Sequence, residues 1–258
     1  MVMRVRLLPS NISRPAELQP LTTFLINGTL ALDGGSLGFA LELEEQRLIK
    51  RVVVTHSHSD HIASLPLFIA ETFPFLEEPV YVYSTREIID SLREHVFNDK
   101  IWPDFHQIML LNGNGAGLHY VEVQPMVPFE VDDLRLTPVR MNHTVPTVGF
   151  AVEDGRSSVI FTSDTYHTEE IWQLANRLDN LKAVFVDVSY PNEMETLAED
   201  SKHLTPKALE IELRKMNRTV EVFAVHLKPQ FRAQVKAQLQ QLNRRNVKLA
   251  EIGREYVF

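Results

Sequence analysis

Cysteine is absent from the 258 residues. The chain therefore has no disulfide framework, no thiolate metal ligand and no cysteine nucleophile, and any metal site must be built from nitrogen and oxygen. Long apolar runs are missing too. None approaches the ~20 residues that span a bilayer, so no membrane association is expected. The opening MVMRVRLLPS has two arginines but no apolar stretch and no small-residue cleavage site, so a secretory signal is not expected there. A cytoplasmic location fits these features. Positive charge is in deficit, with 26 Lys and Arg against 34 Asp and Glu, a net charge of −8. Proteins that grip nucleic acid usually present a basic surface that displaces counterions, which disfavours a nucleic-acid partner. Repeats, low-complexity tracts and linkers rich in Pro, Gly or Ser are also missing, and a single domain over 1–258 is expected.

What is present is a succession of short strands, then strands alternating with helices. TTFLING and LALDGG read as strands, with Asp33-Gly34-Gly35 marking a turn. RLIKRVVVTH reads as a strand whose Val52, Val53 and Val54 imply burial on both faces. SLPLFIAETF predicts a helix with Ser64 near its cap and Pro66 in its first turn, PVYVYS a strand, and TREIIDSLREHVF a helix opened by Thr85. HYVEVQP, LRLTPVRMNH, LKAVFVDVSY and VEVFAVHLKP are strand-like, and TVGFAVE and SSVIFTS flank Asp154-Gly155, a hairpin signal. LTPKALEIELRKM predicts a helix capped by Thr205 with Pro206 first. A last helix from about residue 229 carries Phe231, Val235, Leu239 and Leu242 on one stripe, and EYVF closes an edge. Both halves supply strands and helices, which predicts an α/β (α+β) arrangement of two sheets face to face with helices outside. The glycines of LLNGNGAG precede no helix, so that loop reads as a turn and not as a phosphate cradle.

One stretch stands apart. In VVVTHSHSDHIASL, three of the ten histidines and an aspartate fall within six positions, directly after buried valines. Side chains alternate along a strand, so His56 and His58 point the same way as it ends, and Asp60 and His61 follow where the chain turns toward a helix. Imidazole and carboxylate are ligands that Zn²⁺ and similar ions accept, so this cluster is read as metal-binding. Four groups cannot fill two metal sites, and other strand ends supply more: His143 after VRMN, Asp164 after VIFTS and His226 after VFAV. Each taken singly has a bland alternative, a capping aspartate or a core histidine bonded to a carbonyl. Their shared position at strand ends favours the ligand reading.

THSHSDH resembles the H-x-H-x-D-H motif of the metallo-β-lactamase superfamily, and His143, Asp164 and His226 follow in that family's order. The resemblance covers nearly the whole chain. It implies a four-layer αββα sandwich with two divalent metal ions at one edge of the sheets. His56, His58 and His143 would hold one ion, Asp60, His61 and His226 the other, and Asp164 would bridge them. Asp33 matches an early aspartate that supports such a site, and a simple turn aspartate is the alternative. Zinc is expected, and the same ligands accept manganese or iron.

Within the family, SKHLTPKALEIEL, VFAVHLKP, VFVDVSYPN and LALDGGSLGFAL look like the class II 3′,5′-cyclic-nucleotide phosphodiesterases, although Ser59 stands where that group carries leucine. The tRNase Z endonucleases share the seven ligands and a histidine like His203. They usually carry a basic, glycine-rich arm that is not found here. The resemblance thus implies a phosphodiester hydrolase acting on a cyclic nucleotide, with tRNA 3′ processing, or lactone or thioester hydrolysis, as alternatives. A binding module with a purely structural metal is the non-enzymatic alternative, but structural zinc sites are closed and seven ligands shared by two ions leave open positions. Two Zn²⁺, less the charges of Asp60, Asp164 and a bridging hydroxide, leave about one positive charge to receive a singly charged phosphodiester. That hydroxide would attack phosphorus while Asp60 orients it or takes its proton. His203, just ahead of a capped helix, would protonate the leaving oxygen, a task that suits imidazole. Both similar groups are commonly dimeric, so the resemblance points to a homodimer as one option, and the sequence itself leaves the oligomeric state open.

Other residues stay open on sequence alone. Lys228 either neutralises phosphate or is an ordinary surface lysine. Phe97, Trp102 and Phe105 read as core or interface in preference to a base-stacking surface. His95, His106, His119 and His167 have no strand-end position and read as structural or exposed. Asp187 ends a buried strand near the expected site and either supports it or satisfies a loop.

Overall fold

The computed structural model describes residues 2–10 and 19–258. Among these, one seven-stranded sheet contains β1 (Arg4–Leu7), β2 (Phe24–Ile26), β3 (Leu30–Leu32), β4 (Arg51–Val53), β5 (Val80–Ser84) and β6 (Leu118–Glu122). A second contains β7 (Phe129–Val131), β8 (Leu134–Arg140), β9 (Val148–Glu153), β10 (Ser158–Phe161), β11 (Leu181–Asp187), β12 (Glu221–Val225) and β13 (Val247–Leu249). The last strand, β14 (Glu255–Val257), returns to the first sheet and pairs antiparallel with β1 at its edge. EYVF thus closes an edge, as the sequence indicates.

The two sheets share one plan. β1, β2 and β3 pair antiparallel, and β3 to β6 run parallel. Likewise β7 to β10 pair antiparallel, and β10 to β13 run parallel. Two antiparallel steps separate β8 from β10, so β8, β10, β11 and β12 all end at the same edge. Loops at the C-terminal ends of such strands are where α/β sheets gather functional groups.

Strand alternation explains the layering. On β11, Ala183 and Phe185 belong to the core between the sheets, whereas Val184 and Val186 belong to a second cluster under the outer helices. β12 divides the same way, with Phe223 and Val225 inward and Val222 and Ala224 outward. Both faces being buried, these strands read as continuous apolar runs. Phe24 of the first sheet meets Phe161 and Phe185 of the second edge-on, with ring centroids 4.9 and 5.2 Å apart, which locks the sandwich at its centre. The helices Leu65–Thr72 and Arg86–His95 cover the first sheet through Leu65, Phe68, Ile69, Ile88 and Leu92. The helices Glu170–Arg177, Pro206–Leu213 and Arg232–Gln241 cover the second through Trp172, Leu209 and Val235. The result is the expected αββα sandwich.

Two local expectations need correction. Ser64 and Thr85 occupy the N-cap positions but make no side-chain cap bond. The Ser64 hydroxyl instead donates to the Gly34 carbonyl and accepts from the Gly38 amide, both at 2.9 Å, tying the helix to the turn after β3. Thr205 does cap its helix, accepting from the Ala208 amide at 3.2 Å. Among the described residues, no helix is long and apolar enough to cross a membrane.

Candidate metal centre

The turn after β4 delivers four of the expected ligands. His56 emerges from the strand fully buried, His58 is the N-cap of the short helix Ser59–Ile62, and Asp60 and His61 lie in that helix. The turn is clamped from below by Asp33-Gly34-Gly35. The Gly34 amide donates to the His61 carbonyl at 2.7 Å, and the Thr22 amide donates to the Asp60 carbonyl at 2.8 Å. A Cβ on Gly35 would fall 2.1 Å from the Asp60 carbonyl oxygen, so only glycine permits this approach. The second sheet supplies His143 after β8, Asp164 after β10 and His226 after β12.

These seven residues meet in space as two groups that share Asp164. His56, His58, His143 and Asp164 form one, and Asp60, His61, Asp164 and His226 the other. Asp164 turns one carboxylate oxygen to each. Its Oδ2 lies 3.6 Å from His56 Nε2 and 3.8 Å from His143 Nε2. Its Oδ1 lies 3.4 Å from His61 Nε2 and 3.5 Å from His226 Nδ1. His143 Nε2 is 3.2 Å from His58 Nδ1, His61 Nε2 is 3.4 Å from His226 Nε2, and His226 Nε2 is 3.0 Å from Asp60 Oδ2. Atoms that share a tetrahedral Zn²⁺ at 2.0–2.1 Å sit roughly 3.3 Å apart, so these spacings suit donor sets around cations. His56 Nε2 is buried and has no hydrogen-bond partner. An orphaned nitrogen of this kind is costly unless a further group satisfies it, and a metal ion facing Asp164 would.

The other ring nitrogens are fixed from outside. Asp33, left open by the sequence, is buried and lies 2.7 Å from His61 Nδ1, while accepting from the Thr55 amide at 2.8 Å and hydroxyl at 2.9 Å. It therefore orients His61 Nε2 toward Asp164. His143 Nδ1 lies 3.1 Å from the Lys202 carbonyl. Thr55, Ser163 and Ser189 escaped the sequence reading. Ser163 donates to the Thr55 hydroxyl at 2.8 Å, Thr55 sits 3.0 Å from His56 Nδ1, and Ser189 sits 2.9 Å from His226 Nδ1. The only signal for them was their place beside a strand end, which small hydroxyl residues share throughout the chain. Backbone conformation is unusual at the same points: Asp33 (φ 64°) and His226 (φ 62°) are left-handed, as are Ser163 (φ 56°), just before Asp164, and Lys202 (φ 59°), just before His203. Such non-glycine positions cluster where a site dictates the backbone.

His203 lies at this edge, 6% exposed, with its ring 5.1 Å from that of His143 and stacked 5.3 Å from that of His226. Its Nδ1 is 2.8 Å from Asp187 Oδ2, so the carboxylate accepts that N–H and leaves Nε2 as the atom that can exchange a proton. The Ser189 hydroxyl donates to the other Asp187 oxygen at 2.7 Å. Asp187 thus orients a site histidine and is no mere loop aspartate. Lys228 Nζ is 3.7 Å from Asp60 Oδ2, which puts a positive charge at the centre.

The two groups differ in protonation. Burial lowers the pKa of His56 well below its ordinary value, helped by the neighbouring His61, and burial also lowers His58 and His143. Burial therefore favours the neutral form of these three rings. Burial opposes the charged form of His61 too, but the Asp164 and Asp33 carboxylates outweigh it and raise that pKa well above normal. For His226 the same contest, won by Asp164 with hydrogen bonds to Asp187 and Asp60, ends at about 9. Burial would raise Asp164, but the His226 and His61 charges drive it well down. Asp60 is lowered against burial by its hydrogen bond to His226 and the nearby His61. Asp187 falls to about 2, against burial, through His203.

The remaining candidates lie elsewhere. Phe97 and Phe105 are buried in the hydrophobic core that takes in the first sheet and its covering helices, and Trp102 packs against it. His95 is exposed, and His106 Nδ1 bonds the Leu118 carbonyl. His167 Nδ1 lies 2.6 Å from the buried Glu212, which also accepts from Trp172 Nε1 at 2.6 Å and from the Thr168 amide, pinning the segment after Asp164 to the helix Pro206–Leu213. In the glycine loop, Gly113 (φ 76°) and Gly115 (φ 110°) make turns and no helix follows before β6.

Comparison with known proteins adds a family. The family model described as the Beta-lactamase superfamily domain matches residues 22–227. A Yersinia pestis protein named "Probable 3′,5′-cyclic-nucleotide phosphodiesterase" is 25% identical over 212 residues, covering 71% of this chain and 58% of that protein. The Schizosaccharomyces pombe "3′,5′-cyclic-nucleotide phosphodiesterase" is 30% identical over 113 residues, 43% of this chain and 30% of that one. The Mycobacterium bovis "Ribonuclease Z" is 26% identical over 140 residues, 52% of this chain and 50% of that one. The matches therefore span between about a third and three fifths of the relatives' own lengths. Among solved structures, unliganded yeast PDE1 superposes with a TM-score of 0.80 at 18% identity, covering 100% of this chain and 99% of that one. Human tRNase Z, short form, gives 0.66 at 16% identity, with 98% of each chain covered.

Proposed function

Given that the chain belongs to the β-lactamase superfamily, its family model covering residues 22–227, we propose that it is a binuclear metal-dependent phosphodiester hydrolase acting on a 3′,5′-cyclic nucleotide. The observation that carries the reading is the division of Asp164, one oxygen toward each of two donor groups, with the Asp187–His203 pair beside them. His56, His58 and His143 would hold one ion and Asp60, His61 and His226 the other, with Asp164 within reach of both. Two divalent cations, zinc above all, supply Lewis acidity there and a water acidified toward neutral pH.

The chain's own groups do the rest. Asp60 stays ionised and accepts a hydrogen bond from the attacking water, which fixes its direction toward phosphorus. Lys228, beside Asp60, offsets part of the phosphodiester charge. His203, with Nδ1 tied to Asp187, offers Nε2 to the oxygen that leaves and gives it a proton. Because Asp187 is buried and ionised, it holds that tautomer throughout. The relatives named as cyclic-nucleotide phosphodiesterases support a small substrate, and the net charge of −8 argues against a tRNA grip.

The test is a substrate panel on metal-loaded protein: cyclic AMP and cyclic GMP, a tRNA precursor, a lactone and a thioester. Conversion of a cyclic nucleotide to its monophosphate is expected. Cleavage of the tRNA precursor with inert cyclic nucleotides would move the chain to the RNA-processing group. Lactone or thioester hydrolysis with inert phosphodiesters would overturn the phosphodiesterase reading.

A further inference from the structure

Rings run outward from the candidate centre in an unbroken row. His226 stacks on His203 at 5.3 Å with 19° between planes, His203 meets Tyr190 edge-on at 5.8 Å, and Tyr190 meets Phe231 at 6.2 Å with 49° between planes. The first two belong to the site. The last two are only half-buried, whereas the aromatic rings of the neighbouring strands, Phe161 and Phe185, are shut inside the sandwich. Tyr190 and Phe231 are also joined rigidly to the centre. The Lys228 amide donates to the Ser189 carbonyl at 3.2 Å, and the Phe231 amide donates to the Lys228 carbonyl at 2.9 Å. The segment that carries the Ser189 hydroxyl, next to His226 Nδ1, thus carries Tyr190 one residue on, and the turn that carries Lys228 carries Phe231.

A second aromatic side chain, Tyr166, follows Asp164 by two residues, but its ring is already engaged. The Lys202 ammonium sits 5.5 Å from its centroid and the His167 ring 4.4 Å away. Tyr190 and Phe231 instead meet each other and the His203 ring, and both stay partly exposed where they border the site.

We propose that Tyr190 and Phe231 form the wall against which the nucleobase of a phosphodiester substrate packs, while the phosphate lies between Lys228 and His203. The inference rests on the phosphodiesterase reading above and narrows it to substrates that carry a base. Every nucleobase has a π-face, so stacking of this kind favours nucleotides over lipid or sugar phosphodiesters without selecting strongly among bases.

The experiment compares kcat/KM for cyclic AMP with kcat/KM for trimethylene phosphate, a six-membered cyclic phosphodiester without a base, using the metal-loaded full chain. Phe231→Ala and Tyr190→Ala are expected to lower the ratio of the two by about 5- to 150-fold, the range for loss of one base–aromatic stack. The loss should appear chiefly in KM for the nucleotide, and Tyr190→Phe should restore the ratio because it keeps the ring. A ratio unchanged in both alanine variants overturns the wall, as does an equal loss on both substrates. Cleavage of trimethylene phosphate at least as efficiently as cyclic AMP by the unmodified chain also overturns it and leaves the phosphodiesterase reading standing. Failure to cleave either compound sinks that reading, and the wall with it.

Discussion

Asp33 Oδ2 lies 2.7 Å from His61 Nδ1 and, at the same time, 2.9 Å from the Thr55 hydroxyl, with Oδ1 taking the Thr55 amide at 2.8 Å. Three donors converge on one carboxylate, and an amide in its place cannot serve them all. An asparagine side chain there would aim its NH₂ either at the Thr55 amide or at the ring N–H. Asp33→Asn is therefore expected to weaken metal binding roughly 10- to 100-fold, as loss of such an orienting partner typically does. Metal retained after dialysis against a graded chelator measures it.

Asp164 touches both donor groups, so its removal should be felt by both. Asp164→Asn keeps the shape but loses the charge and one oxygen. Metal content by elemental analysis should drop from two ions per chain toward none, whereas Asp60→Asn, which belongs to one group only, should leave one ion bound. Equal stoichiometry in the two variants would contradict a bridging role for Asp164.

His203 contacts the rings of His143 and His226 and forms a third group of ligand-type atoms with Asp164, Asp187 and His226, but lies outside the two groups that contain His56, His58, Asp60 and His61. His203→Ala should leave metal content unchanged and lower turnover by ~10²- to 10⁴-fold, the usual worth of a positioned proton donor. Its effect should shrink on a substrate whose leaving group, such as 4-nitrophenolate, needs no proton. A loss that is the same for good and poor leaving groups would assign His203 to packing.

Loading the two groups should depend differently on pH. His56, His58 and His143 are neutral by burial, whereas His61 and His226 carry protons in the metal-free protein. A cation entering the second group must displace those protons, so at pH 7 it should release them, and its affinity should rise as pH increases toward about 9. Calorimetry in buffers of different ionisation enthalpy counts them. For the metal-free fold, the raised His226 pKa contributes stability that is complete below about 6.5 and lost as pH rises through about 9. The depressed Asp187 contributes stability present above about 3.8 and lost as pH falls through about 2. Below about 6.5 the unfolded chain gains protons at His56, His58 and His143 that burial withholds in the fold, so melting temperature without metal should peak near pH 6.5, fall on the acid side and decline toward pH 9.

Gly35→Ala places a methyl 2.1 Å from the Asp60 carbonyl oxygen and 2.7 Å from that of Thr22. Backbone must move to admit it, at a cost of about 1–3 kcal/mol or more. Thermal unfolding should show the loss, and weaker metal binding should accompany it because Asp60 is what moves. Gly28, with open space around its Cβ position but a left-handed φ of 78°, is the control away from the site: Gly28→Ala should cost stability through its backbone alone and leave metal binding unchanged.

The seven candidate ligands were legible because metal chemistry requires particular side chains at particular places. Imidazole and carboxylate at the ends of apolar strands are hard to produce by packing alone, and the parallel arrangement carries those ends to one edge. Asp33 and Asp187 could not be settled in advance, since a turn aspartate and a histidine-orienting aspartate look the same until the partner is brought near from 28 or 16 residues away. β7 and β13 have three residues each, too short for an alternating pattern to emerge. β1 went unread because its partners, β2 and β14, come from opposite ends of the chain. Tyr190 had no local signal at all. Its meaning comes from Phe231, 6.2 Å away in space and forty-one positions on in sequence.

Each donor group draws two members from the turn after β4 in the first sheet and two from strand ends of the second. A cation in either position would hold the two halves of the sandwich together at one rim, like the clasp of a book whose spine is the phenylalanine cluster. Chelation should then loosen that rim first. Amide exchange would quicken around Thr55 and Thr162 while the strands at Phe24 and Phe185 stay closed, so cofactor loss would surface as a one-sided opening well before the chain unfolds.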